Sequence, residues 1–366
     1  MKKFFFKSSS KKASKKIFRL FQIEPTMRCN LHCIMCPWHE MRAPMGDMAW
    51  ETYEKIVRSF KGVEEVDLTG GGEPLMHPQL IRMIGLAKES ACKAGFSTNA
   101  TLLTHKLSEE LIRIDLDWIA YSLDGATAQT YEKIRKGASF KQVVDHILFL
   151  DRLRKSAKGK KPVTMLFFVM MPDNFQELPI LVDLCLQLGI DRLVLKNQDV
   201  ILKMERDKHR LFTWDSHYPE ELQRIIQVSQ EKAESNGLYV RVYSLFPKEM
   251  AMCEQDPLNT AFFNWEGFVS PCITLSYAQK RVFRGEWTEA PIHRFGDINN
   301  ENFRDIWAAP AYRRFRGCFE RRNKGLGQGF MDLLSLDKLQ NIKPPDSTTL
   351  PPCPGGCETC HYLYGV

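Results

Sequence analysis

A chain of 366 residues and 42.4 kDa is too long for one small module and suits a large catalytic domain with a smaller appendage. Its 44% hydrophobic and 26% charged residues, without an apolar run near the roughly 20 residues of a spanning helix, exclude an integral membrane protein and a wholly disordered one. The formal charge of +7 is no sign of nucleic acid: eight Lys and Arg fall within residues 1–19 with no acid among them, and the other 43 basic residues face 44 acidic ones. The expected arm over residues 1–20, with Phe4, Phe5, Phe6, Ile17 and Phe18, suits a solvated terminus or weak contact with an anionic membrane surface. It lacks the uninterrupted apolar stretch and small-residue cleavage site of a signal peptide, so a cytoplasmic protein is expected, with no nucleic-acid partner.

From residue 20 the pattern alternates strand and helix. Strands are expected over 21–24, 63–68, 94–97, 118–122, 163–170, 192–196 and 239–243. Helices are expected over 50–60, 77–89, 107–114, 127–136, 140–154, 175–188 and 218–235. The 163–170 run is continuous enough in apolar residues to read as a strand buried on both faces of a parallel sheet. Repeated β/α units of this size predict a parallel barrel or partial barrel, with ligand sites at the carboxyl ends of its strands. After residue 245 the rhythm stops, and a domain boundary is placed there. The remainder predicts a hairpin over 261–272 turning at Trp265, Glu266 and Gly267, then helices over 303–307 and 311–319. The 321–352 stretch has no clear pattern.

Eleven cysteines are many for a reducing compartment, where clustered thiols more often bind metal than form disulfides. Cys92 and Cys185 fall in or beside apolar segments and read as buried core residues, and Cys318 is equally a thiol or a ligand. Cys29, Cys33 and Cys36 fall within eight residues immediately after a strand. A loop this tight can supply three ligands to an iron–sulfur cube and leave the fourth iron open. With His32 and His39 nearby, a zinc site satisfies the same spacing. The next strand ends in Thr69-Gly70-Gly71-Gly72-Glu73-Pro74, where glycines allow close backbone approach and Glu73 offers an acceptor for an ammonium group. Ser97-Thr98-Asn99 and Ser122-Leu123-Asp124-Gly125 put small polar groups at further strand ends.

Taken together, these segments resemble the radical S-adenosylmethionine (SAM) enzymes over residues 20–245. The three-cysteine spacing is that family's signature, and the Gly-Gly-Glu segment is its usual companion. The resemblance implies a partial (β/α)6 TIM-like barrel in which Cys29, Cys33 and Cys36 hold a 4Fe-4S cluster, with SAM chelating the open iron. Gly71, Gly72 and Glu73 would meet the methionyl amino group, and Ser122 and Asp124 would make ribose-side or substrate-side contacts. Met35 stands where the family often has an aromatic residue, a departure that bears on adenine contact alone. Such sites deliver one electron to a bound sulfonium, and the resulting 5'-deoxyadenosyl radical abstracts hydrogen from substrate.

Residues 253–366 resemble the SPASM and twitch extensions of that family. This small cysteine-rich C-terminal domain, placed over 246–366, implies an auxiliary 4Fe-4S cluster. Cys253, Cys272, Cys357 and Cys360 are its simplest ligand set, and Cys353 could replace one of them or serve a second cluster. The resemblance implies a radical SAM oxidoreductase or maturase acting on a peptide side chain or small metabolite, with the auxiliary cluster taking part in substrate oxidation. A flavodoxin or ferredoxin would supply electrons. The alternatives are a bond-forming enzyme acting on a cofactor precursor and, in another class, a zinc-stabilised protein that binds nucleic acid or lipid. No residue is singled out as a catalytic acid or base.

Overall fold

The computed structural model describes residues 17–41, 43–157, 161–198, 200–214, 220–277, 279–323 and 350–366. The basic arm up to residue 16, the start of the 218–235 helix and most of the 321–352 stretch lie outside them. Among the described residues no helix is long and apolar enough to cross a membrane.

Seven parallel strands form the body of one sheet: β1 (Phe18–Ile23), β2 (Val63–Asp67), β3 (Lys93–Thr98), β4 (Trp118–Ser122), β5 (Val163–Val169), β6 (Arg192–Lys196) and β7 (Tyr239–Val242). Between them run α1 (Trp50–Val57), α2 (Leu80–Glu89), α3 (His105–Arg113), α4 (Ala128–Ile134), α5 (Phe140–Ser156), α6 (Leu178–Gln187) and α7 (Glu220–Ser235). The strands keep their chain order, β1 to β7, as six β/α units closed by a last strand. Local chemistry fixes several helix starts. Thr104, Thr127 and Ser139 accept from backbone N–H groups in the first turns of α3, α4 and α5, which trims the expected 127–136 helix to begin after its cap.

Strand alternation decides what faces the helices and what faces the lumen. On β5, Thr164, Leu166 and Phe168 are buried, whereas Val163, Met165, Phe167 and Val169 are half-buried. The expectation of a strand buried on both faces is therefore corrected: its second face lines a lumen that the barrel covers only in part. The helix-side core gathers Phe21, Ile23, Val66, Phe96, Ile119, Leu166, Phe168 and Leu195, all fully buried.

Past residue 245 the chain first adds strands to the same sheet and then forms a separate two-stranded one. The strand β8 (Thr260–Phe263) pairs parallel to the free side of β1, with Phe21 opposite Ala261, and β9 (Phe268–Ser270) and the two-residue β12 (Gly296–Asp297) extend it. The hairpin turns where expected, with Gly267 at φ +98°, a conformation that suits glycine. The short helix α8 (Ile273–Ser276) and a second hairpin, β10 (Gln279–Phe283) with β11 (Glu286–Ala290), were not legible in the sequence. The helix α9 (Phe303–Ala308) packs back on β1, where Phe303 lies 4.8 Å ring to ring from Phe21 and Phe263 lies 5.1 Å from it, and α10 (Pro310–Asn323) packs on α9 through Tyr312 and Trp307, 4.8 Å apart.

Phe21 thus belongs to the barrel core and to its junction with the C-terminal region. The change Phe21→Ala is expected to cost about 3–5 kcal/mol of unfolding free energy, measurable by denaturant titration. A loss under about 1 kcal/mol would mean that this aromatic junction contributes little.

Candidate active site

Strand β1 delivers the chain to the carboxyl end of the sheet, and residues 24–41 cross the barrel mouth. The cysteine turn is held on both sides: His32 N–H donates to the Lys136 carbonyl (3.1 Å), Ile34 N–H to the Ile134 carbonyl (3.0 Å), and Cys36 N–H to the Cys33 carbonyl (3.1 Å). Opposite it runs the glycine segment. An added Cβ on Gly72 would fall 2.4 Å from the Arg28 carbonyl oxygen and 2.6 Å from that of Thr26, and one on Gly70 would fall 2.1 Å from Glu24 Cγ. Close backbone contact therefore demands glycine here. Glu73 N–H then donates to the Arg28 carbonyl at 2.8 Å and locks the two segments together.

A cavity of about 230 Å³ opens between them. It is lined by Cys29, Cys33 and Cys36 on one side, Gly71, Gly72 and Glu73 on another, and Ser122 at the end of β4. The three predicted thiols and four of the five predicted cofactor contacts thus share one site. Glu73 is buried and well occupied: its carboxylate accepts from Thr98 Oγ1 (2.6 Å), Asn99 N–H (2.7 Å) and Leu75 N–H (3.1 Å). Burial pushes its pKa up against these bonds.

Asp124 is the exception. It does not line the cavity; its fully buried carboxylate accepts from Val169 N–H (2.7 Å) and pairs with Arg135 at 2.6 Å. Arg135 does line the cavity and lies 3.8 Å from Cys33 Sγ. Burial opposes its charge, but Asp124 and Cys33 outweigh that and raise its pKa. Asp124 is therefore a positioning residue behind the site. Asn99, one of the polar strand-end residues singled out in the sequence, also lines the cavity and donates its amide to Asn30 Oδ1 at 3.0 Å. Arg135 went unnoticed, because nothing in a helix C-cap signals a neighbour 102 residues away.

Glu24 was also missed, read only as the end of a strand. It is fully buried; Oε1 accepts from Gly71 N–H (2.8 Å), and Oε2 from Trp265 N–H (3.2 Å) and the Tyr277 hydroxyl. One carboxyl therefore joins the barrel, the glycine segment and the C-terminal hairpin. Burial raises its pKa to about 7, against the lowering effect of Tyr277, Gly71 and Trp265.

The second thiol group is assembled by the C-terminal segment. Cys357 N–H donates to the Pro354 carbonyl and Cys360 N–H to the Cys357 carbonyl, each at 3.0 Å, a tight turn that gathers this end. The buried Arg322 donates to the Ala251 (3.0 Å), Met250 (2.8 Å) and Pro351 (2.5 Å) carbonyls, tying the approach to Cys253 to the approach to Cys353. Cys253, Cys272, Cys360 and Cys353 all raise the pKa of Cys357, and Cys360 also raises those of Cys253 and Cys272, so these thiols lie close together. Burial is the larger cause, and it pushes Cys272, like Cys36 in the first group, up to about 12. Such thiols ionise when a metal centre takes the proton's place. Among the described residues no three or more His, Cys, Asp or Glu side chains meet where one metal ion could sit.

Comparison with known proteins gives this geometry its family. The model of the radical SAM superfamily matches residues 23–185, and that of the iron–sulfur cluster-binding SPASM domain matches residues 253–361. The chain therefore carries a radical SAM domain followed by a SPASM domain. It is 28% identical over 301 residues, 80% of this chain and 82% of the relative, to a tungsten-containing aldehyde ferredoxin oxidoreductase cofactor-modifying protein of Pyrococcus furiosus. With the mycofactocin maturase MftC of Mycobacterium tuberculosis it shares 29% identity over 122 residues, 33% of this chain and 31% of the relative. Among solved structures, Streptococcus suis SuiB bound to S-adenosylmethionine has a TM-score of 0.61 at 17% identity, covering 85% of this chain and 71% of that one. The anSMEcpe structure with bound AdoMet has a TM-score of 0.60 at 16% identity, covering 81% and 79%. These structural likenesses show a shared fold. These two domains make the chain an enzyme and imply 4Fe-4S clusters and S-adenosylmethionine as its cofactors.

The Glu24 carboxyl gives a pH test of the domain junction. Its pKa of about 7 lies above the ordinary 4.5, so folding favours the protonated form and stability is lost as pH rises through that window. Glu24→Gln cannot ionise and is expected to lose less between pH 4.5 and 8, by up to about 3 kcal/mol. Unfolding curves that keep a constant separation across that range would show that Glu24 ionises normally.

Proposed function

We propose that a substrate bound in the barrel mouth loses a hydrogen atom at the first cluster site and an electron to an auxiliary centre in the SPASM domain. The observation that carries this reading is the single cavity shared by Cys29, Cys33, Cys36, Gly71, Gly72, Glu73 and Ser122. In it, the first three residues would hold the 4Fe-4S cluster, Gly71, Gly72 and Glu73 would meet the amino group of SAM, and Ser122 would face its ribose or the substrate. When bound, these cofactors supply one-electron cleavage of a sulfonium and a 5'-deoxyadenosyl radical. The protein fixes their placement and limits water. Arg135, held by Asp124 against Cys33, puts a permanent positive charge beside a ligand thiolate and favours the more negative, reduced state of the site.

Cys253, Cys272, Cys357 and Cys360 would hold the auxiliary centre, with Cys353 at its edge. Tyr362, two residues beyond Cys360, brings its ring within 5.9 Å of the Lys196 ammonium in the cavity wall, so the second thiol group adjoins the reaction space. A hydrogen atom and an electron taken from substrate, with release of a proton, amount to a two-electron oxidation. The substrate is a peptide side chain or a small metabolite, and the reducing partner is a flavodoxin- or ferredoxin-like protein. Likeness to the cofactor-modifying protein over 82% of its length supports a second reading, modification of a cofactor precursor.

Two variants test the assignment in anaerobically reconstituted enzyme. Cys33→Ala is expected to release no 5'-deoxyadenosine above background, and release at the parent rate would refute the first-cluster assignment. Cys357→Ala is expected to reduce iron from about eight to about four per chain. Iron held at the parent value would remove Cys357 from the auxiliary ligand set.

A further inference from the structure

Arg135 and Lys196 both line the cavity, but they differ in what already satisfies them. Arg135 is paired with Asp124. Lys196, the last residue of β6, forms no ion pair with a carboxylate among the described residues. Its ammonium is instead ringed by aromatic faces, 5.5 Å from Phe167, 5.6 Å from Tyr243 and 5.9 Å from Tyr362. Glu254, the carboxylate behind one of these rings, is committed to the Tyr243 hydroxyl at 2.5 Å and to Arg241 at 2.8 Å. Asp67, on β2, feels the Lys196 charge but stands beyond ion-pair distance. Such rings steady a cation without neutralising it.

The two residues that follow add a second, independent sign of a ligand. Asn197 and Gln198 are more than nine-tenths buried and line the same cavity, yet Asn197 Oδ1 and Gln198 Oε1 have no hydrogen-bond partner among the described residues. The Asn197 amide is fixed by its donation to the Ser244 carbonyl (2.8 Å), which keeps the oxygen in place. Buried acceptors of this kind cost free energy unless a donor arrives. An unmatched cation beside two unmatched acceptors describes a ligand with an anionic group and nearby hydroxyl, amine or amide donors.

We propose that Lys196 anchors an anionic group of the substrate, a carboxylate or a phosphate, while Asn197 and Gln198 receive its neighbouring donors. This rests on the reading of the cavity as the radical site and narrows its substrates to acidic ones. The half-buried position of Lys196 makes the pairing stronger than a surface ion pair, and its place at the seam with Tyr362 sets the anchored group next to the SPASM domain.

The experiment uses cluster-reconstituted holoenzyme with SAM present, titrated calorimetrically with inorganic pyrophosphate and with malonate at matched ionic strength. Saturable binding of at least one probe is expected, weakened roughly tenfold or more in Lys196→Met and largely kept in Lys196→Arg. The probe bound more tightly assigns phosphate or carboxylate. Equal binding by the parent and Lys196→Met, or no saturable binding of either probe by the parent, overturns the proposal. Iron content and melting temperature of each variant identify one that has merely misfolded, and Lys196→Arg then carries the comparison with the parent. Release of 5'-deoxyadenosine by the same parent preparation separates the two ideas: release without Lys196-dependent anion binding defeats the anchor alone, and no release defeats the radical-site reading beneath it.

Discussion

The contact between the glycine segment and the chain leaving β1 is the constraint on which the site depends. Gly70 lies against Glu24, Gly71 against Met27 and Trp38, and Gly72 against the Thr26 and Arg28 carbonyls. At Gly72 the neighbours are backbone atoms that cannot move aside, and at Gly70 they are the Cβ and Cγ of the buried Glu24, so these two residues must lack a Cβ. The result is that Glu73 and the cysteine turn face each other across a narrow gap, with the Glu73 N–H bonded to the Arg28 carbonyl. A small cavity becomes a cofactor site only because two backbones, which cannot rotate away as side chains can, define its walls.

That constraint passes outward through Glu24. Its carboxyl receives the Gly71 N–H on one oxygen and the SPASM-domain donors on the other, so the cofactor segment and the C-terminal hairpin share one buried group. The pairing of β8 with β1 supplies the backbone half of the same connection. Two thiol groups far apart in sequence are thereby presented to one reaction space, one at the barrel mouth and the other two residues from a ring that faces Lys196. In both groups burial opposes ionisation of the thiols.

Much of this was legible from residue order. The β/α alternation, the Cys29, Cys33 and Cys36 turn, the glycine segment and the hairpin turn at Gly267 are local patterns, and each appears where its chemistry places it. Contacts set by topology were not. Arg135 reaches Cys33 from the end of α4, and Glu24 reaches Tyr277 across 253 residues. Asp124 carried the right residue type at a strand end, but the sequence could not say that its carboxylate turns inward to Arg135. On β5 a run of apolar residues concealed the difference between a face packed on helices and a face lining an open lumen. The second hairpin, β10 with β11, turns at Arg284 and Gly285, a weak signal within a region of mixed composition.

The central claim is that the amino-terminal thiols hold an iron–sulfur cluster with a coordination position open to SAM. Electron paramagnetic resonance of the chemically reduced, oxygen-free enzyme, recorded before and after SAM is added, tests it most directly. The account predicts a reduced-cluster signal whose g-values shift on addition of SAM. An unchanged spectrum under saturating SAM, or no cluster signal at all, would contradict it.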